Sequence, residues 1–182
     1  MTIKITIAGF GGQGVLSAGK MIARAALIEN KNVTWMPSYG AEMRGGTANC
    51  SVVVSDKAIA SPVVSRPDFL AALNDLSLLK FENNIVTNGT LLLNSSLISD
   101  SPKRTDLTVY RFPGNELAEK AENPRGLGMA VAGAIAGITN VVTLESLMQA
   151  VYDEFQETKA AFVKINQVAA EYGYRFVQDG KG

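Results

Sequence analysis

The stretch IAGFGGQGVLSAGK, Ile7–Lys20, decides the fold that this sequence predicts. Just before and within its start, Ile3, Ile5 and Ile7 alternate with polar side chains, which is the period of a strand with one apolar face. From residue 13 to residue 29, apolar side chains recur at helical spacing. A glycine-rich turn that joins a strand to a helix predicts an α/β protein.

The turn itself matches the pattern G-x-G-x-x-G. Glycine adopts positive φ at little steric cost and lets backbone N–H groups approach a ligand closely. The helix that follows carries unpaired N–H groups and a partial positive charge at its first turn. We therefore expect this turn to bind a phosphate or carboxylate, with a tight turn that binds nothing as the alternative. The candidate binding residues are Gly9, Gly11, Gly12, Gln13, Gly14 and Val15, the N–H groups of Gln13 and Val15 being the donors at the helix start.

A nicotinamide-dinucleotide site needs one further feature, an acidic residue about 20 positions after the glycines that binds the ribose. The second strand, residues 33–36, is expected to end at Pro37 and is followed by no acid at its tip. Glu29 precedes this strand and Glu42 lies in the next loop. A free-standing oxidoreductase that uses NAD(P) or flavin is thus the less favoured alternative.

The segment SYGAEMRGG, residues 38–46, contains three glycines in nine positions and predicts an irregular loop. Loops that combine aromatic, acidic and basic side chains are typical of binding surfaces. The guanidinium of Arg44 can bind a phosphate or carboxylate through two hydrogen bonds, or it can pair with Glu42 or with a partner subunit. We expect an interface or binding loop made of Ser38, Tyr39, Glu42, Met43, Arg44, Gly45 and Gly46.

Composition excludes several classes of function. The 182 residues carry 17 basic and 17 acidic side chains, so no basic field for nucleic acid or a membrane surface is expected. The chain has no histidine and one cysteine, Cys50, which cannot by itself hold an iron–sulfur cluster or a structural zinc. We expect no catalytic residue and no metal site, and we expect Cys50 to be buried and inert.

The rest of the chain predicts one domain, residues 1–182. Its fold class is α/β, with a mostly parallel or mixed sheet flanked by helices and a helical C-terminal third. No signal peptide is evident, and the longest uncharged apolar stretch, residues 126–138, is too short to span a bilayer, so a cytoplasmic location is expected. Further strands are predicted at residues 47–55, 68–74, 89–96 and 106–112, with a helix as the alternative at residues 68–74, and a short helix is predicted at residues 75–84.

Three helices are predicted after residue 122. Asn123 and Pro124 suit the N-cap and first position of a helix that ends at residue 139. This helix contains four glycines, so it is expected to lie deep in the core or in a subunit interface. Amphipathic helices follow at residues 144–155 and 162–172, with Gly173 as the C-cap of the second.

The motifs GFGGQGV and PSYGAEMRGGTANCSVVVS, with the spacing between them, resemble the gamma subunit of 2-oxoacid:ferredoxin oxidoreductases. The segments NELAEKAENPRGLGMAVAGAIAG and KINQVAAEYGY resemble it as well, so the resemblance covers essentially the whole chain. The second motif is the more specific, and its Glu42-Met43-Arg44 form is most like the 2-oxoglutarate and branched-chain 2-oxoacid members. Ala41 stands where many relatives have proline.

This resemblance implies a function that needs partners. Such enzymes decarboxylate a 2-oxoacid on thiamine diphosphate, pass electrons through iron–sulfur clusters to ferredoxin, and form an acyl-CoA. Separate subunits hold the thiamine diphosphate and the clusters, while the gamma subunit packs against them and is associated with coenzyme A. The chain alone would be inactive and would contribute the glycine turn to the coenzyme A side. Tyr39, Glu42 and Arg44 would contact either the catalytic subunits or the phosphates of coenzyme A. A purely structural assembly module remains an alternative, and the 2-oxoacid, which includes indolepyruvate, stays open.

Overall fold

The fold is described by a computed structural model that covers residues 1–39, 47–157 and 162–180. Within these ranges six strands form one sheet in the order β2-β3-β1-β4-β5-β6. The strands are β1 (Thr2–Phe10), β2 (Asn32–Tyr39), β3 (Thr47–Ser55), β4 (Phe69–Ala72), β5 (Thr90–Asn94) and β6 (Thr108–Phe112). The helices are α1 (Val15–Ile28), α2 (Asp75–Phe81), α3 (Gly114–Lys120), α4 (Leu127–Thr139), α5 (Leu144–Phe155) and α6 (Val163–Gln178), with a short 3₁₀ turn at Glu82–Asn84.

Strand directions confirm the mixed α/β sheet and the helical C-terminal third. β1, β4, β5 and β6 run parallel to one another, whereas β3 is antiparallel to both of its neighbours, β1 and β2. The carboxyl ends of the parallel strands therefore meet at one edge of the sheet. The start of β3 lies at the same edge, because Thr47 is paired with Phe10.

The two faces of the sheet are covered differently. One face packs against α1, α4, α5 and α6 through a large apolar core that includes Ile5 and Ile7. The other face packs against α2 and the 3₁₀ turn through a smaller cluster that includes Leu70 and Leu91. The chain thus leaves β1 toward one face and β4 toward the opposite face. Such a topological switch point opens a crevice at the carboxyl ends of the two strands.

Helices α4 and α6 approach each other backbone to backbone. A Cβ atom built on Gly133 would lie 1.9 Å from the Ala170 carbonyl oxygen, and one built on Gly173 would lie 1.9 Å from the Ala130 carbonyl oxygen. Of the two sites expected for the glycine-containing helix, the structure shows the core. The prediction that Gly173 ends the last helix is wrong, because α6 continues to Gln178 and Gly173 packs in its middle.

Two other boundaries differ from the sequence prediction. Helix α4 begins at Leu127, not after an Asn123 N-cap, since the Asn123 side chain instead donates to Asn166 Oδ1 at 2.8 Å. Strand β2 runs through Pro37 to Tyr39. β2 is an edge strand, so it tolerates a residue without an N–H group. None of the described helices combines the length and apolar character needed to cross a bilayer.

Candidate functional site

The glycine turn lies at the switch-point crevice between β1 and β4. Gly12 and Gly14 have φ values of 96° and 75°, in the left-handed region that favours glycine. Gly11 and Gly12 are exposed, and a Cβ atom on Gly12 would meet nothing within 4 Å. The turn is therefore open to solvent at its tip.

Backbone donors point out of this turn. Helix α1 starts without a side-chain cap and has no acidic residue in its first turn. Among residues 1–39, 47–157 and 162–180, the N–H groups of Gly11, Gly12 and Val15 have no hydrogen-bond acceptor. Unpaired N–H groups at the positive end of a helix favour an anionic group.

Gln13 behaves differently from the prediction. Its N–H does not face a ligand but donates to the Phe10 carbonyl oxygen at 3.2 Å. Its side-chain Oε1 accepts hydrogen bonds from Phe10 N at 2.6 Å and from Asn74 Nδ2 at 3.0 Å, and its Nε2 donates to the Leu73 carbonyl oxygen at 3.3 Å. The side chain thus bridges the ends of β1 and β4 across the crevice.

Two of the four glycines are explained by packing. A Cβ atom on Gly9 would lie 2.9 Å from Val15 Cγ2 and 3.1 Å from Leu73 Cβ. One on Gly14 would lie 2.7 Å from the backbone of Gly128, near the start of α4. Gly9 and Gly14 therefore fit the alternative of a tight turn, whereas exposed Gly11 and Gly12 fit a binding turn.

The contact between Gly14 and Gly128 brings the first turns of α1 and α4 together beside a cleft of about 240 Å³. Asn123, Arg125, Phe155 and Phe162 are among the residues that line this cleft. Arg125 is exposed and forms no ion pair with any residue that the structure describes. The sequence prediction missed Arg125, because it lies far from the glycine turn along the chain and no local pattern indicates that the two are close in the structure.

A buried amide links the end of β4 to the start of α3. Asn94, at the end of β5, is fully buried, and its Nδ2 donates to the Leu73 carbonyl oxygen at 3.4 Å and to Asn115 Oδ1 at 2.9 Å. Its Oδ1 accepts from Gly114 N at 3.1 Å and so fixes the start of α3. The sequence prediction also missed Asn94 and Asn74; a polar residue that follows a buried apolar strand is the signal that would have found both.

The second predicted loop lies mostly outside the described residues. Ser38 is exposed and Tyr39 is the last residue of β2, whereas Glu42, Met43, Arg44, Gly45 and Gly46 fall in the range 40–46 that the structure does not describe. Strand pairing places Tyr39 opposite Ala48, next to Thr47 and the end of β1. Both ends of the loop are therefore anchored at the edge that carries the glycine turn.

The single cysteine of the chain lies in the core. Cys50 is fully buried beneath α1, as predicted, and burial raises the pKa of its thiol to about 12. Its Sγ donates to the Val15 carbonyl oxygen at 3.4 Å. Such a thiol is not a nucleophile at neutral pH. Within the described ranges no group of three or more Cys, Asp or Glu side chains is arranged to hold a metal ion.

Sheet order also argues against a dinucleotide site. In nucleotide-binding sheets of the usual order, the second strand lies beside the first and presents its acid to the ribose. Here β3 lies between β1 and β2, which places the end of β2 about 10 Å from β1. Ser38 and Tyr39, at that end, are not acidic.

Comparison with known proteins gives a family match over most of the chain. The family described as pyruvate ferredoxin/flavodoxin oxidoreductase matches residues 4–176. The 2-oxoglutarate synthase subunit KorC of Methanocaldococcus jannaschii is 35% identical over 179 residues, 94% of this chain and 96% of that protein. The ketoisovalerate oxidoreductase subunit VorA of Methanothermobacter marburgensis is 40% identical over 141 residues, but these make up only 29% of that protein.

Solved structures share the fold. The gamma subunit of a keto/oxoacid ferredoxin oxidoreductase from Geobacter sulfurreducens superposes with a TM-score of 0.81 at 28% identity, over 95% of this chain and 96% of that chain. A 2-oxoglutarate:ferredoxin oxidoreductase from Magnetococcus marinus, with 2-oxoglutarate, coenzyme A and succinyl-CoA bound, gives a TM-score of 0.88 at 21% identity. That match covers 98% of this chain and 31% of the other, and at this identity it bears on the fold alone.

Proposed function

This chain belongs to the pyruvate ferredoxin/flavodoxin oxidoreductase family, and from that premise we propose that it is the gamma subunit of a 2-oxoacid:ferredoxin oxidoreductase. In this role it acts with partner subunits that hold thiamine diphosphate and iron–sulfur clusters, and the complex passes electrons to ferredoxin. The absence of histidine from the sequence and the buried state of Cys50 are consistent with a subunit that leaves the redox chemistry to cofactors held elsewhere.

The observation that carries the proposed coenzyme A role is the open glycine turn. Gly11 and Gly12 are exposed at the switch point, and their N–H groups are unpaired among the described residues. Coenzyme A carries phosphates, which are the groups that such a turn and the adjoining helix N-terminus favour. We assign the turn, from Gly11 to Val15, to the binding of a phosphate of coenzyme A.

Two arginines supply the positive charge for this site. Arg125 lines the cleft that shares Gly14 with the turn. Arg44 belongs to the loop whose ends, Tyr39 and Thr47, are anchored at the same sheet edge. A guanidinium binds phosphate through two parallel hydrogen bonds. In this proposal Arg125 acts at the cleft, and Arg44 acts either on the coenzyme or on the partner subunits.

The test is substitution of Arg125 by alanine in the reconstituted complex, with ferredoxin reduction as the assay. One charge-assisted hydrogen bond of about 1.5–3 kcal/mol corresponds to a rise of about 10- to 150-fold in the KM for coenzyme A. Arg66→Ala is the matched control, because Arg66 is exposed near the opposite edge of the sheet, where Pro67 and Asp68 precede β4. An unchanged KM in Arg125→Ala, together with normal subunit stoichiometry, would contradict the assignment.

A purely structural role in assembly is the second candidate. The observation that favours it is the match to VorA, of which this chain covers 29%, since the homologous module there is part of a much longer polypeptide. Arg44→Ala separates the two candidates. Loss of the subunit from the purified complex, with unchanged coenzyme A kinetics in the complex that remains, supports assembly. A normal subunit ratio with an increased KM supports coenzyme binding.

A further inference from the structure

We propose that the side chain of Gln13 is a positioning residue, which holds the glycine turn in its open shape without itself binding the ligand. The inference rests on the proposed function, because it explains how the turn stays ready to receive an anion. It changes the role that the sequence suggested for Gln13, from a donor that faces the ligand to an internal brace.

Protein atoms contact both ends of the Gln13 side-chain amide. Oε1 accepts from Phe10 N at 2.6 Å and from Asn74 Nδ2 at 3.0 Å, and Nε2 donates to the Leu73 carbonyl oxygen at 3.3 Å. Its backbone N–H is also used, by the Phe10 carbonyl oxygen. These four contacts leave one Nε2 hydrogen as the single donor of Gln13 that has no acceptor among the described residues.

The side chain of Gln13 joins the ends of two strands, β1 and β4, from which the chain continues in different directions. Phe10 ends β1, whereas Leu73 and Asn74 follow β4, and the chain leaves the two strands toward opposite faces of the sheet. Asn74 is buried and is itself fixed, because its Oδ1 accepts from Ser77 N at 2.9 Å at the start of α2. Gln13 therefore links the turn to a rigid anchor.

The glycine turn itself has little packing that would fix its shape. Gly12 has positive φ and no neighbour within 4 Å of a Cβ position, so packing does not restrain it. Glycine has more accessible backbone conformations than any other residue, and ordering them on binding weakens affinity. The side-chain hydrogen bonds of Gln13 limit these conformations before the ligand arrives.

The experiment uses the complete complex and two variants. Gln13→Met keeps the approximate length of the side chain and removes its three hydrogen bonds. Asn74→Ser keeps an N-cap for α2 but is too short to reach Gln13. Both are expected to raise the KM for coenzyme A about 10-fold while kcat changes less than twofold, since the brace affects binding and not the redox steps. Gln149→Met, on an exposed face of α5, is the matched control and should change neither constant.

Hydrogen exchange of the turn amides is the second readout. The amides of Phe10 and of residue 13, which are hydrogen-bonded in the turn, should exchange at least several-fold faster in Gln13→Met than in the wild type, while those from Ile5 to Ala8 in β1 and those of β4 stay unchanged. Unchanged exchange and unchanged KM in both variants would overturn the inference and leave the Arg125 test of the proposed function intact. Faster exchange with an unchanged KM would instead show that the turn is braced but does not bind coenzyme A, so both the positioning role and the proposed site would fail.

Discussion

Replacing Gly173 by alanine tests whether α4 and α6 are held together by direct backbone contact. The new Cβ atom would lie 1.9 Å from the Ala130 carbonyl oxygen. Carbon–oxygen contacts between packed helices are normally about 3.3–3.6 Å long, so the helices would have to separate locally by about 1.4 Å. Neither atom can rotate away, because the backbone of a buried helical segment fixes both the Cβ position at residue 173 and the Ala130 carbonyl oxygen.

The expected cost follows from two opposing effects. Helices that are pushed apart by about 0.5–1 Å lose a quarter to a half of each dispersion contact between them. Overpacking of this kind therefore costs about 3 kcal/mol or more at a site that cannot relax. Alanine regains about 1 kcal/mol of helix propensity over glycine. The net loss in the free energy of unfolding is therefore about 2 kcal/mol or more, or roughly 4–8 °C in Tm for a chain of this size.

Urea unfolding of the isolated chain, followed by circular dichroism, measures this loss at constant m-value. Gly133→Ala is expected to behave like Gly173→Ala, since its Cβ atom would lie 1.9 Å from the Ala170 carbonyl oxygen. Gly137→Ala is the milder comparison, because its nearest neighbour is a side-chain atom, Val177 Cγ2 at 2.6 Å, which can move, and the nearest backbone atom, the Tyr174 carbonyl oxygen, is 3.0 Å away instead of 1.9 Å. It should change stability by less than about 1 kcal/mol. If Gly173→Ala is as stable as the wild type, or if all three variants lose the same amount, the backbone-contact argument is wrong.

Three further predictions concern one half-buried group, Glu29, and two buried groups, Cys50 and Asn94. Burial alone would raise the pKa of Glu29, but hydrogen bonds from Lys31 and Thr143 outweigh it and lower the pKa to about 2. Glu29 therefore stabilises the fold above about pH 4.5, and this contribution disappears as the pH falls toward 2. Glu29→Gln should cost about 1–3 kcal/mol at pH 7 and distinctly less at pH 3, as measured by urea unfolding. Cys50 should not react with a thiol reagent at pH 8 until urea unfolds the chain, and prompt reaction in the native state would contradict its raised pKa and burial. Asn94→Ala should cost about 2–3 kcal/mol, since it leaves the N–H of the first α3 residue buried without its acceptor, whereas a loss below about 0.5 kcal/mol would mean that water replaces the side chain.

Local signals in the sequence predicted the elements around the glycine turn well. The alternation of Ile3, Ile5 and Ile7 with polar residues matches β1, and the apolar periodicity after the turn matches α1. The prediction failed where a residue's usual local role gave way to a distant contact. Gly173 suits a C-cap in isolation, yet it is required in mid-helix by Ala130, and Asn123 suits an N-cap, yet it binds Asn166.

The candidate site was predicted only in part, because contacts between residues distant in the chain bring some of its residues together. The exposed glycines, Gly11 and Gly12, follow from a short motif that specifies its own turn. Arg125 and Asn74 join the site only because two helix starts and two strand ends meet there, although these are far apart in the chain. Gln13 was identified correctly as part of the turn, but its contacts show an internal brace where the motif suggested a ligand donor.

The amino-acid order by itself determined the α/β class, the position of the anion-suited turn and the family, because strand alternation, helical periodicity and glycine spacing act over a few residues at a time. Only the tertiary structure decided that β3 separates β1 from β2, that α4 lies against α6, and which polar groups line the crevice. These features depend on contacts between residues that are distant in the chain, and local sequence patterns do not predict the free energies of such contacts.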